Sequence, residues 1–290
     1  MALYASLDYT KSIMKIETTA NATEDAKILR NLRTVSRRVD AILDPARRRP
    51  IFEPYREARR IRVTSELVNR YDGTLRLTDP LLALSALSIA STALVIDTGV
   101  AAWPDTTAPI EYLRLLNCTE YSWYHDPGCS DCGGPLTVTV TGLWGLHRDY
   151  ASAWAAVDAL TAGITSSATT VPVADADGTD EYGLTPRFSP GDLIKVDDEF
   201  MEITAIASNN LTVRRAQNGT TAAAHDSADT VSVWRVEEAV RHEVARQAGL
   251  MYARFGAYTS MEVTGMGEMR YPTDLLTSLK ATLAAYAYGV

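Results

Sequence analysis

Apolar residues recur at helical spacing near both ends of this chain and at strand spacing between them. That order constrains the fold more than any single motif, because each helical segment carries one apolar face that must be covered. Ile28, Leu32, Val35, Val39 and Ile42 fall on one stripe of a helix expected to open at Thr23, with Glu24 and Asp25 in its first turn. Asp44-Pro45 stops it, since proline lacks an amide proton and restricts the residue before it. Val236, Val240, Val244, Ala248, Met251 and Phe255 make a second stripe, with Gly256 as its C-cap. A third, Leu275, Leu276, Leu279, Leu283 and Tyr286, follows Tyr271-Pro272-Thr273-Asp274.

Between the helices the period changes to two. Arg59 to Gly145 reads as strands with turns, among them Tyr71-Asp72-Gly73, and Leu136 to Thr141 alternates apolar and polar. Thr161 to Val233 holds five short β-prone runs separated by Ser189-Pro190-Gly191-Asp192, Asp197-Asp198 and Ser208-Asn209-Asn210, which suits a small barrel or sandwich. The expected class is α+β: a helical core formed by the N- and C-terminal helices, a β-rich middle region and an inserted small all-β domain. The expected divisions are 1–160, 161–233 and 234–290. The two helical ends are expected to pack together with the β parts looped out.

At 46% hydrophobic and 22% charged residues the composition is that of a folded protein. The most apolar stretch, Pro80 to Ile96, is interrupted by Ser85, Ser88, Ser91 and Thr92, so no membrane span is expected. Met1 to Ile16 has no charged-then-apolar leader pattern, and three cysteines are an odd number. Both point to synthesis and assembly in the reducing cytoplasm. The net charge of −8 conceals a local net of +6 from Glu24 to Arg62, twelve basic against six acidic residues, which leaves −14 on the rest. A basic face on an acidic body suits docking to an acidic protein or to a second copy. Arg30, Arg33 and Arg37 lie on the helix flank opposite the apolar stripe and are the expected contact residues. DNA phosphates are the other reading of this stripe, but a general nucleic-acid binder is usually basic overall and this chain is not.

Cys129-x-x-Cys132 has zinc-ligand spacing, and Cys118 with His125 would complete a three-thiolate, one-imidazole site. With only one such pair, the favoured reading is three free thiols in a loop stiffened by Pro127, Gly128, Gly133 and Gly134, with zinc as the alternative. Asp175, Asp177, Asp180 and Glu181 surround Gly178 without the spacing of a calcium loop and read as a solvated turn. His147 reads as a packed strand-end residue and His242 as exposed; Tyr121, Trp123 and Tyr124 read as an anchor for their own loop, with an exposed contact as the alternative. Neither a nucleophile elbow nor a phosphate-cradling glycine loop is present in the sequence, so no enzyme is expected.

Three segments carry a resemblance. Arg62-Val-Thr leads to Tyr71-Asp72-Gly73-Thr74-Leu75-Arg76-Leu77 and Pro80-Leu81-Leu82. Val138-Thr-Val-Thr-Gly142-Leu-Trp144-Gly-Leu-His147 is followed by Tyr150-Ala-Ser-Ala-Trp154. Phe188-Ser-Pro-Gly-Asp192, Glu199-Phe-Met201, Leu211-Thr-Val-Arg214 and Asn218-Gly-Thr-Thr-Ala222 with His225 resemble a β module of phage virion proteins. In this order, and with the flanking helices, they resemble the head-to-tail connector (adaptor) proteins of long-tailed double-stranded DNA bacteriophages. The loop from Asn117 to Gly134 departs from that pattern. The resemblance implies a structural virion protein, a closed twelvefold ring docked on the portal. Its further partners would be a downstream connector, stopper or tail protein, with DNA passing through unbound and no membrane. It also implies that the chain's end reaches the portal, so Leu275, Leu276, Leu279, Leu283 and Tyr286 are expected to dock there as a tethered helix. The alternative is a tail or baseplate protein that binds through its β domain.

Overall fold

The computed structural model describes residues 3–15, 21–44, 50–69, 71–89, 92–103, 109–116, 122–123, 136–181, 183–253, 260–263, 267–270 and 276–286. The chain is α+β and divides into two compact units, one of residues 1–50 with 153–287 and one of residues 51–152. No helix among the described residues is long and apolar enough to cross a membrane.

Among the described residues the first unit contains four α-helices: α1 (Leu7–Met14), α2 (Ala22–Leu43), α3 (Glu238–Ala253) and α4 (Leu276–Ala284). Asn21, not Thr23, caps α2, its side-chain oxygen accepting the amides of Thr23 and Glu24. The cap therefore lies two residues earlier, and Thr23 is already inside the helix. Ile28, Leu32, Val35 and Val39 are buried as a stripe of this period requires. So are Val240, Val244 and Ala248 of α3, and Asn31 donates to the Ala248 carbonyl at 3.4 Å across the two helices. The ends of the chain thus pack together.

Helix α1 has no long apolar stripe. Ser6 caps it, accepting the Tyr9 amide, and polar contacts fasten it on both sides. Buried Lys11 pairs with Asp25 of α2 at 2.6 Å; Tyr9 donates to Glu238 of α3 at 2.8 Å and lies under the Arg241 guanidinium, 4.0 Å from its ring centre.

The same unit holds a six-stranded antiparallel sheet. Its strands are β8 (Trp154–Ala159), β9 (Thr170–Pro172), β10 (Leu193–Val196), β11 (Glu199–Ala207), β12 (Asn210–Arg214) and β13 (Thr230–Trp234), ordered β8-β13-β10-β11-β12-β9. It begins at Trp154 and not Thr161, because β8 pairs along β13 from Ala159 opposite Thr230 to Trp154 opposite Trp234. Phe188, Ile194, Val196, Met201, Ile203, Leu211, Val231 and Val233 form its core. The sheet is not a free appendage of the helices. The Leu3 amide donates to the Gly191 carbonyl at 3.0 Å, and Ser189 donates to Asp8 at 2.8 Å. Gly191 has φ +97°, and a Cβ there would stand 2.4 Å from Leu3, so only glycine suits the junction.

The second unit is a seven-stranded sheet. Its path is β1 (Tyr55–Arg62), β7 (Thr137–Trp144), β3 (Thr74–Ile89), β6 (Ile110–Leu115) and β5 (Val100–Trp103). Short β2 (Val68–Asn69) and β4 (Thr92–Leu94) also pair with β3. The register of β3 against β6 shifts around Pro80, from Thr74–Arg76 opposite Arg114–Tyr112 to Leu81 opposite Ile110, and from Leu81 to Ile89 it also pairs with β7. Proline belongs at such a bulge because it has no amide to give the ladder. Gly142 of β7 pairs with Leu84, where a Cβ would stand 2.3 Å from the Ala83 carbonyl oxygen. Leu75, Leu77, Leu81, Leu113, Val138, Val140 and Trp144 are in its core. A two-stranded hairpin, β14 (Ser260–Val263) with β15 (Gly267–Arg270), precedes α4 in the chain.

Candidate functional site

Helix α2 presents Arg30, Arg33, Arg37 and Arg38 to solvent, at positions that recur on the flank away from the buried stripe. The expected arginine face is therefore exposed, with Arg38 added to it. On edge strand β1 the alternation likewise leaves Arg56, Arg60 and Arg62 outward, while Arg59 turns in over the Trp144 ring at 4.3 Å.

The C-terminal stripe does not form an open docking face. Leu279 and Leu283 are each 1% exposed and Tyr286 is 8% exposed, covered by the helices of their own chain. Ser278 donates to Glu243 at 2.7 Å and accepts from Gln247 at 2.9 Å, tying α4 to α3. A helix this short is marginal alone, and an intrachain partner stabilises it. Leu275 and the side chain of Leu276 lie outside the described residues, as do Phe255, Gly256, Cys118, Tyr121, Tyr124, His125, Cys129 and Cys132.

The acidic turn is not merely solvated. Glu181 makes a bidentate pair with Arg235 at 2.6 and 3.0 Å, Asp175 faces Arg187 at 3.3 Å, and Asp180 accepts the Leu184 amide at 2.8 Å. Arginines from distant segments thus neutralise a run that looked isolated. Beside them lies buried Asp192, which accepts the Ser189 amide at 2.8 Å. Burial pushes its carboxyl up to about 6, against the pull of Arg235 and that amide.

A dense polar cluster lies in the six-stranded sheet and was not singled out by spacing. Glu199, 1% exposed, accepts five hydrogen bonds. Two come from Arg215 at 2.7 and 2.6 Å, and the others from the Ala216 and Ala223 amides and from His225 Nε2 at 3.0 Å. Arg215 also donates to the carbonyls of Thr165, Ala168 and Ala223. Burial alone would raise the Glu199 carboxyl, but these donors outweigh it and hold it at about 2. Thr220 takes the Phe200 amide at 3.1 Å, and Asn218 and Gly219 both adopt positive φ. The Asn-Gly-Thr-Thr-Ala run with His225 is therefore a loop closed on a buried carboxylate. Glu199 and His225 stood in that motif, whereas Arg215 lacked any local signal of its role.

Other single residues resolve simply. His147 is buried and accepts the Asp149 amide at 3.2 Å, His242 is exposed, and buried Trp123 donates to the Gly73 carbonyl at 2.7 Å. Large apolar side chains exposed in the second unit are Tyr71, Val95, Trp103 and Leu116.

Compared with protein-family models and with curated proteins, the chain matches none.

Proposed function

We propose that this chain is a structural virion protein, the head-to-tail connector of a long-tailed phage, acting mechanically and not as an enzyme. The observation that carries the reading is an exposed arginine stripe on a helical core made from both chain ends. That stripe belongs to a chain whose net charge is −8. Copies of one such subunit can meet head to tail, the stripe of one against acidic surface of the next, and a heterologous contact that closes makes a ring. The order of helix, β region, β module and helices agrees with the connector resemblance. The ring would sit in the virion on the portal, extend the DNA channel and receive a stopper or tail protein.

The test is charge reversal. Replacing Arg30, Arg33 and Arg37 by Glu should abolish ring formation while leaving the melting temperature of the subunit within a few degrees, because all three are exposed. Rings that persist in the triple variant would refute the assignment of this face. Tight, salt-steep DNA binding lost in the same variant would move the stripe to nucleic acid.

A further inference from the structure

Three metal-ligating side chains converge at the rim of the buried cluster. Asp197 lies in the β10–β11 turn, His225 ends the loop closed on Glu199, and Asp229 immediately precedes β13. One donor atom from each lies within 4.8 Å of the others. We propose that Asp197, His225 and Asp229 bind a divalent first-row transition ion, with Glu199 orienting the histidine.

The argument begins with the imidazole. Its side chain is 2% exposed, and its backbone is held by paired hydrogen bonds with Ile164 at 2.9 Å each. Nε2 faces Glu199 at 3.0 Å, and Glu199 is itself locked by Arg215 and two amides. This is the arrangement that metal-binding histidines use: one ring nitrogen given to a fixed carboxylate, which sets the tautomer and aims the other nitrogen outward. Here the other nitrogen, Nδ1, faces Asp197 at 2.8 Å.

A plain ion pair explains one carboxylate at that nitrogen but not the second. Arg215 offsets Glu199, which leaves Asp197 and Asp229 as two further anions gathered around one imidazole. Asp229 accepts the Asp226 amide through one oxygen at 2.7 Å, which fixes the carboxylate and leaves the other oxygen available. Ligand atoms around an ion with bonds of about 2.0–2.2 Å stand roughly 3 Å apart, so the present spacing needs only a small closure. Asp197 can supply it, since its side chain is 61% exposed and unconfined by packing. One imidazole nitrogen with two carboxylate oxygens favours zinc, manganese and their neighbours over calcium or magnesium, and leaves positions for water. The bound ion would tie the β10–β11 turn to the segment entering β13. The inference is independent of ring assembly.

The test uses the full chain with Cys118, Cys129 and Cys132 replaced by Ser, so that thiolates do not compete, and zinc chloride titrated calorimetrically. One zinc per chain is expected. Asp197→Asn and Asp229→Asn should each weaken binding at least about tenfold. Each variant's metal-free melting temperature is measured alongside, since Asp197 also pairs with His225 and Asp229 accepts the Asp226 amide, and the comparison is made between folded proteins. His225→Gln should abolish it. Manganese added to the wild-type chain, followed by loss of its free-ion electron paramagnetic resonance signal, gives the same reading if the cysteine-free chain folds poorly, because manganese disfavours thiolates. Saturable binding that ignores both aspartate changes would overturn the proposal, as would the absence of binding by either ion to folded protein.

Discussion

Removing Arg215 should leave a buried, uncompensated carboxylate in the six-stranded sheet, and its cost should not add to that of removing its partner. Arg215→Met keeps most of the side-chain volume but leaves Glu199, 1% exposed, as a buried carboxylate without its cation. It also strips a donor from the carbonyls of Thr165, Ala168 and Ala223. Breaking a buried pair from one side costs about 3–5 kcal/mol, mostly for the charge left behind. In a unit of this size about 2–4 °C accompanies each kcal/mol, so the midpoint should fall by roughly 10 °C. The double change Glu199→Gln with Arg215→Met removes both charges and should cost clearly less than the two single changes added. Urea titration followed by tryptophan fluorescence is the assay. Trp154 and Trp234 report on this sheet, their ring centres 5.0 Å apart, with Phe200 tilted against Trp154 at 5.1 Å. A loss under about 1 kcal/mol for Arg215→Met, or simple additivity in the double variant, would refute the reasoning.

Two further outcomes follow from the same structure. Asp192 has its folded carboxyl raised from 3.8 to about 6, so its contribution is fully present below pH 3.8 and is lost as pH rises through 6. Wild type should therefore lose up to about 3 kcal/mol across that window from this group, and Asp192→Asn should flatten the profile in denaturation at pH 4 to 8; parallel profiles would contradict it. Leu279→Ala and Leu283→Ala should each cost about 2–5 kcal/mol of subunit stability, because both side chains are covered within the chain. Stable variants that fail only in assembly would restore these residues to a docking face.

The elements most legible in the sequence were those whose signal is local. The stripe of α2 repeats over several turns, so period marked it, and β10 to β13 are short β-prone runs set between recognisable turns, so punctuation marked them. Helix α1 was missed because eight residues hold too few apolar positions for a stripe; a serine cap and tertiary ion pairs form it instead. Strand β8, Trp-Ala-Ala-Val-Asp-Ala, has no alternation and owes its conformation to pairing with β13, far along the chain. The stripe of α4 was readable, but periodicity shows that a face is buried and not what buries it. The clustering of Glu199, Arg215 and His225 is likewise a product of topology, since those residues are brought together by strand pairing and a closed loop. The same holds for Arg235 and Glu181, which meet across 54 positions.

The central proposal is a closed ring built from one kind of subunit. Electron microscopy of the purified full-length chain at assembly concentrations, with class averages sorted by rotational symmetry, tests it most directly. The account predicts closed rings of twelvefold symmetry with a central channel. Particles that remain monomeric, or that close with threefold or sixfold symmetry as a tail component would, contradict it.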